Sequence, residues 1–449
     1  SPHIGTSSPH IGTSSPHIGT SSPLVNTTTS TLSATWCPGG VSAVAGETLV
    51  TVSPRLVASL PLEGKRAVAS AILRRVHEGR NQRLGFLCVD RNAPLASLIG
   101  QSIHPRSRVI FRGENAAGPG VRREMLSVVA SDLTHGPSPP LLSHDGGRTH
   151  HPSPAATGAA GLAALETCGR LVALALHTGD VFPVKLTTAA LKSVLEQPLD
   201  DEDIKAIDPG PDGFFHRRVH YLRNDLYLSD GLSLPDLDLS FAEPLDPSHP
   251  HGAIVELCPG GAHRQVTMDN KAEYLSLLVR WRLVGCVEPQ LDALRRGWHD
   301  LVPPSTSSIL SAFLSCSELQ RICAGSEVID VDDWESNASY SPPLHAAHEQ
   351  VEWFWGCVRR VMNDEERRRL LRFVTGSPVV PVGGFAALMG FSGQRRQFNV
   401  GQARSGLLPT ASTCSNTLHL PSYPSEASLQ QNVLLAIRCF DGFEERNVH

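Results

Sequence analysis

Apolar residues recur along this chain at two periods, and each period predicts an element. Between residues 54 and 77, Leu56, Leu60, Val68, Ile72 and Val76 fall about four apart, the spacing of one helix face. Leu165, Cys168, Leu171, Val172, Ala175 and Leu176 make a second apolar face. Tyr274, Leu277, Leu278 and Trp281 make a third, with Asn270 and Glu273 spaced as a capping box at its start. Val351, Phe354, Trp355, Val358 and Val361 predict a fourth helix. A fifth carries Leu370, Leu371 and Phe373, with Asn363 and Glu366 placed to cap it. Apolar runs at residues 85–89 and 108–111 predict strands. Residues 237–241 alternate Leu, Asp, Leu, Ser, Phe, the two-residue period of a half-exposed strand.

Where the pattern stops, the chain divides. Residues 1–21 are three copies of SPHIGTS, rich in Ser, Thr, Pro and Gly, with no apolar face to bury. Residues 1–52 are therefore expected to be a disordered tail, and its His3, His10 and His17 to be part of an unstructured tract and not metal ligands. A helical lead-in at 53–83 follows, and a folded unit begins near residue 84. Residues 134–160 are rich in Gly, Pro, Ser and His and predict a long loop or insertion. Its His135, His144, His150 and His151 are irregularly spaced with no nearby cysteine, which favours a solvated loop over a metal site. Near Ser341 a proline pair, Pro342 and Pro343, stops any helix. The expected division is a larger part at 84–340, a hinge at 341–346 and a smaller part at 347–449.

Composition narrows the partners. Of 449 residues, 41% are hydrophobic and 18% charged, with a net charge of -5. No field of one sign recommends nucleic acid or an anionic membrane. No apolar run approaches the roughly 20 residues of a membrane helix, and the N-terminus lacks the basic start and apolar stretch of a secretory signal. Ser1 in place of an initiator methionine suggests a fragment or a partial gene model. The ten cysteines are scattered, none in a CxxC pair. A reducing compartment is the natural reading, with most thiols inert in the core. The cytoplasm is the expected location, the nucleus a second one.

One cysteine stands apart. Residues 407–423, LLPTASTCSNTLHLPSY, place a polar stretch between apolar flanks, with Pro409 and Pro421 outside it. A loop between two short extended segments is predicted, with Cys414 at its exposed tip beside Thr410, Ser412, Thr413, Ser415 and Asn416. Hydroxyl and amide neighbours can hydrogen-bond a thiolate or an oxyanion. On chemistry alone a nucleophile and a half-buried structural cysteine are equally open.

The wording of that segment, LPTASTC–N–L–LP, resembles the active-site signature of the HECT ubiquitin ligases, LP-x-(A/S)-(H/S)-TC-x-N-x-L-x-LP. Further segments resemble the family in order: VIFRGENAAGPGVRREML (109–126), ETCGRLVALALHTGDVFPV (166–184), DNKAEYLSLLVRWRL (269–283), QLDALRRGWHDLVPPS (290–305) and FVTGSPVVPVGGFAALMG (373–390). The wording around Met389 and Ser412 is most similar to the ankyrin-repeat branch, although the sequence shows no ankyrin repeats. The resemblance runs from about residue 84 to 449 and implies an α+β bilobal fold. A mostly helical N-lobe would bind a ubiquitin-conjugating enzyme through a small subdomain at about 195–285. An α/β C-lobe would carry the cysteine.

The implied reaction is acyl transfer in two steps, with ubiquitin, a conjugating enzyme and a protein substrate as partners and no cofactor. Cys414 would be the nucleophile; Thr413 and Asn416 match the family's loop residues, and Phe443 is the candidate for its C-terminal phenylalanine. Ser412 stands where many relatives have histidine, and His419 is a candidate base that, on a strand between Leu418 and Leu420, is expected to point into solvent. FFHRRVHYLRND (214–225) resembles the conjugating-enzyme helix, with Arg218 in place of a leucine. Tyr221, Leu222 and Tyr274 are the implied docking residues, core packing being the competing account of Leu222 and Tyr274. Two rival functions stay open: a weak or inactive relative that only binds, motivated by Arg218, Ser415 and the prolines, and a cysteine hydrolase.

Overall fold

The computed structural model describes residues 32–445, apart from 38–39, 46–47, 79–84, 115–116, 145–148, 200–202, 205–213, 245–252, 391–393 and 404–407. The SPHIGTS repeats lie outside the described residues. Later in the same tail, the backbone forms an antiparallel meander of β1 (Leu32–Cys37), β2 (Gly40–Ala45) and β3 (Thr48–Val52).

The helical pattern that follows becomes α1 (Pro54–Ala58) and α2 (Leu62–His77), broken at Pro61, which lacks the N–H a continuing helix needs. The two predicted strands are β4 (Phe86–Val89) and β5 (Arg108–Phe111). They pair in parallel, and α3 (Pro94–Leu98) lies on the crossover between them. Next comes α4 (Pro119–His135), which starts the segment expected to be loop.

That expectation is corrected. Residues 134–160 contain an antiparallel hairpin of β6 (Leu141–His144) and β7 (Thr149–Pro152), and α5 (Ala159–Thr178) starts at their end. His150 and His151 are buried, and His151 Nδ1 lies 2.7 Å from Thr187 Oγ1. A short strand covered by its surroundings keeps a polar composition, so its burial comes from tertiary context and not from its own pattern.

Beyond α6 (Thr188–Val194) the chain leaves for a small subdomain: α7 (Phe214–Arg223), β8 (Ala242–Pro244), β9 (Ile254–Glu256) and α8 (Lys271–Leu283). Its separate core holds Val219, Leu222, Tyr227, Phe241, Tyr274 and Leu278. Two local expectations fail here. Asn270 and Glu273 form no capping box: Asn270 Oδ1 accepts from Thr267 N at 2.7 Å, and Glu273 pairs with Arg264. The alternating stretch at 237–241 starts as a 3-10 turn, Leu234–Leu237, and passes through left-handed Asp238 before the strand begins.

The chain then returns through α9 (Glu288–Leu301), α10 (Pro304–Ser311) and α11 (Cys316–Ala324). These close the large core, which runs from Val57 to Cys323 and includes Phe111, Leu165, Leu171, Phe182 and Trp298. At its centre α5 crosses α9 in backbone contact. A methyl placed on Gly169 would sit 2.0 Å from the Leu294 carbonyl oxygen, and one on Gly297 would sit 1.8 Å from that of Glu166. Two glycines facing one another permit an approach that any side chain would forbid. By length and composition α5 is apolar enough to cross a membrane, contrary to the expectation from the sequence, but here it is the central core helix.

Three histidines pack together on this lobe, His77 against His104 and against His177 at ring distances of 5.4 and 5.2 Å. Burial, with the neighbouring cations, lowers the His177 pKa from 6.5 to about 3. Folded His177 is thus neutral while its unfolded counterpart takes a proton below pH about 6.5, so stability present above that pH is lost as pH falls toward 3. The thermal midpoint should drop across this window, and His177→Asn should flatten the drop.

The lobe boundary also moves. α12 (Val331–Ser336) and β10 (Ala338–Tyr340) precede the predicted hinge but belong to the C-lobe. Trp334 is fully buried there and stacks on Phe385 at 4.8 Å. β10 pairs in parallel with β11 (Phe398–Gln402), the next strand of a four-stranded sheet. The Pro342–Pro343 pair is a turn inside this lobe: Ser341 N donates to the Val400 oxygen at 3.0 Å, and Leu344 is buried. The change of core falls between Cys323 and Ile329, at Gly325 with φ 69°. A proline pair breaks a helix wherever it lies, and here it did not mark the edge of a core.

After the prolines come α13 (Glu349–Gly356) and α14 (Asp364–Thr375). The predicted box at α14 is formed: Glu366 N donates to Asn363 Oδ1 at 2.9 Å, and Asn363 N to Glu366 Oε2 at 3.2 Å. The sheet ends in β12 (Thr410–Ser412) and β13 (Thr417–Leu420), and α15 (Glu426–Glu445) closes the lobe.

Candidate functional site: the Cys414 hairpin

β12 and β13 pair antiparallel, with Ser412 opposite Thr417, so residues 413–416 form the tip of a tight hairpin. Ser415 N closes it by donating to the Ser412 oxygen at 3.1 Å. Leu418 and Leu420 anchor β13 in the C-lobe core. The alternation of a strand turns His419 to the other face, where its Nε2 lies 3.0 Å from Ser412 Oγ. The expectation that His419 points into solvent is therefore corrected; it is half-buried against the residue two before the cysteine.

Cys414 is half-exposed at this tip. Among the described residues four other thiols are buried, Cys168, Cys316, Cys323 and Cys357. Burial pushes Cys168 and Cys323 up to about 12 and Cys316 and Cys357 up to about 11, so these sulfurs stay protonated. Asn416 shapes the tip from within. It takes a left-handed conformation at φ 49°, which Asn tolerates better than most residues. Its fully buried amide donates to the Met389 oxygen at 3.1 Å and the Arg396 oxygen at 2.9 Å.

The N-lobe holds the same tip from outside. Arg123 on α4 donates to the Thr413 oxygen at 2.6 Å, to Asn416 Oδ1 at 3.2 Å and to the Met389 oxygen. A methyl on Gly120, one helical turn earlier, would lie 2.5 Å from Thr413 Oγ1 and 3.0 Å from Cys414 N. Sequence reasoning missed Arg123; the only signal was its place in the RREML run of a matching segment.

The other implied site residues lie elsewhere. Leu222 and Tyr274 are 2% and 0% exposed, so they build the subdomain core and offer no face to a partner. Tyr221 is half-buried, its hydroxyl donating to Asp230 at 2.7 Å. Phe443 lies on the last turns of α15, with its side chain outside the described residues. Arg218, the departure from a leucine, has a local explanation. It donates to both oxygens of buried Glu243 at 2.7 and 2.8 Å and to the Tyr274 hydroxyl at 2.7 Å. Arg218→Ala should cost about 3 kcal/mol in urea unfolding by stranding a buried carboxylate, and replacing Arg218 and Glu243 together by Leu should recover most of it.

Residues 131–446 match the family described as HECT-domain (ubiquitin-transferase). The chain belongs to that family. Over 337 residues it is 34% identical to the E3 ubiquitin-protein ligase HACE1 of Gallus gallus, covering 74% of this chain and 34% of that one. The Homo sapiens HACE1 is 33% identical over 337 residues, 74% of this chain and 35% of that one. The E3 ubiquitin-protein ligase HECW1 of Mus musculus is 36% identical over 271 residues, 60% of this chain and 16% of that one. The chain thus spans about a third of the length of the HACE1 relatives. The HECT match covers the end of α4, the whole small subdomain and the C-lobe with its Cys414 hairpin, so the site lies within an α+β HECT domain.

Proposed function

We propose that this chain is a ubiquitin-protein ligase that takes ubiquitin from a conjugating enzyme onto Cys414 as a thioester and passes it to a substrate lysine. The observation that carries the reading is a half-exposed sulfur on a rigidly held hairpin tip inside a HECT domain. In the first step the Cys414 thiolate attacks the carbonyl carbon of the incoming thioester and the enzyme's thiolate leaves. Thiol replaces thiol, so the step is near balance and geometry governs it. In the second step a neutral lysine amine attacks the new thioester and an isopeptide bond forms. Lysine is mostly protonated near neutral pH, so a base would help.

The conjugating enzyme is assigned to the small subdomain. Leu226, Leu228 and Leu232 expose apolar side chains there, close to Tyr221 in sequence, and exposed Met268 has its sulfur 3.3 Å from the Tyr227 hydroxyl. Clustered exposed apolar groups of this kind suit a protein partner. The binding-only alternative rested on three features that have local explanations. Arg218 is paired with Glu243, Ser415 Oγ donates to Thr417 Oγ1 at 3.0 Å, and the prolines sit in a C-lobe turn. The deciding experiment incubates the full chain with activating enzyme, a panel of conjugating enzymes, ubiquitin and ATP. A reductant-sensitive adduct supports the reading; binding with no adduct across the panel sinks it.

A further inference from the structure

We propose that Arg123 of the N-lobe is a positioning residue for the second transfer, from Cys414 to lysine, in the lobe arrangement seen here; this rests on the ligase reading. Arg123 is 5% exposed, yet its hydrogen-bond acceptors, Thr413 O, Asn416 Oδ1 and Met389 O, are all neutral and all belong to the C-lobe. Among the described residues no carboxylate contacts it, and nearby Asp180 is bonded to Arg122 at 2.6 Å. Burial pushes the Arg123 pKa down; the Asp180 charge opposes that, the Arg122 charge adds to it, and a thiolate on Cys414 would oppose it further. A buried cation that no carboxylate hydrogen-bonds, its nearest acid shared with a second arginine, is costly to keep. The cost is offset when negative charge develops beside it, and the residue next to Thr413 is the one that would carry that charge.

The interface is built for this docking. Gly120 lets α4 approach the Thr413–Cys414 peptide so closely that a methyl would clash. The clamp comes from α4 of the large core, whereas the surface assigned to the conjugating enzyme lies on the small subdomain. Docking on α4 therefore suits a step that no longer needs the donor enzyme. It also leaves the sulfur half-exposed, as an acceptor lysine requires and as a masking contact would not.

The chemistry balances with no further reactant. The lysine nitrogen lone pair forms a C–N bond to the thioester carbon, and the carbonyl oxygen becomes anionic. Collapse breaks the C–S bond, and its electron pair leaves on the Cys414 sulfur. The amine's surplus proton passes to water or to that thiolate. Oxyanion and thiolate both form beside the Arg123 charge, where fixed positive groups act most strongly.

The test is a pulse and chase on the full chain. Cys414 is loaded with ubiquitin, the supply is quenched, and discharge onto free lysine is timed. Arg123→Gln should load within about threefold of wild type and discharge at least about tenfold more slowly, the scale of a lost charge-assisted hydrogen bond. Arg123→Lys, which keeps the charge, should recover part of that rate. Gly120→Ala keeps Arg123 but pushes the tip away, and should show the same split. Equal slowing of both steps with a lowered thermal midpoint would mean a purely structural role and overturns the inference. Faster loading with unchanged discharge means release of an inhibitory contact and also overturns it. A wild type that loads and discharges beside an Arg123→Gln that matches it sinks this inference alone. A wild type that takes no ubiquitin sinks the ligase reading and this inference together.

Discussion

Cys414→Ala should carry no ubiquitin and form no isopeptide product, a loss on the order of a thousandfold or more, as when an enzyme's nucleophile is removed. Stability should hardly change, within about 0.5 kcal/mol, because the half-exposed side chain makes no core contact that alanine would lose. Cys414→Ser sharpens the result. A hydroxyl is a weaker nucleophile, but any ester it forms resists thiol reductants, so a faint reductant-stable adduct should replace the labile one. Cys439 is exposed on α15 and provides the control. Cys439→Ala should load as wild type does. An adduct that survives Cys414→Ala and disappears with Cys439→Ala would move the nucleophile to the wrong sulfur.

Gly297→Val should prevent the N-lobe from folding. Its first side-chain carbon alone would lie 1.8 Å from the Glu166 carbonyl oxygen and 2.7 Å from the Glu166 carbonyl carbon. Those are backbone atoms of a buried helix, which cannot swing aside as the end of a side chain can. Relief requires α5 and α9 to separate, opening the core around Leu165, Leu171 and Trp298. Overpacking of flexible sites costs about 1–3 kcal/mol, and this site has less room to relax. Against a total stability of about 5–15 kcal/mol, the variant should be largely insoluble or lose its cooperative thermal transition by circular dichroism. Gly85→Ala is the matched control. Nothing lies within 4 Å of its added carbon and its φ is not positive, so its melting curve should overlay the wild type. A soluble Gly297→Val with an unchanged midpoint would show that the two helices are not in backbone contact.

The parts of this fold that could be read in advance are those whose signal is local. The Asn363–Glu366 box and the apolar face from Val351 depend on side chains three or four apart; the box formed as read, and the face holds as far as Val358, the α-helix passing at Cys357–Val361 into a π-helical turn that leaves Val361 exposed. The loop carrying Cys414 was legible for the same reason, since two apolar dipeptide steps and two prolines framed a polar tip. What failed was decided by distant partners. Nothing in residues 141–152 announces a strand, because their burial is supplied by other elements. Asn270 and Glu273 have the spacing of a cap, yet Arg264 captures the glutamate. For Leu222 and Tyr274 the resemblance implied docking and their apolar character left core packing as the competing account; the burial of both favours the core, because an apolar pattern does not say what covers it. Arg123 could not be paired with residues nearly three hundred positions later by any local pattern.

The early start of the C-lobe bears on how it can be made as a separate piece. A fragment beginning at residue 347 would discard β10, leaving β11 with an uncovered edge, and would remove the indole that fills the space between Phe385 and Phe398. Such a fragment should aggregate through that bare strand. One beginning near residue 326 retains both, and is the piece expected to give a dispersed amide spectrum.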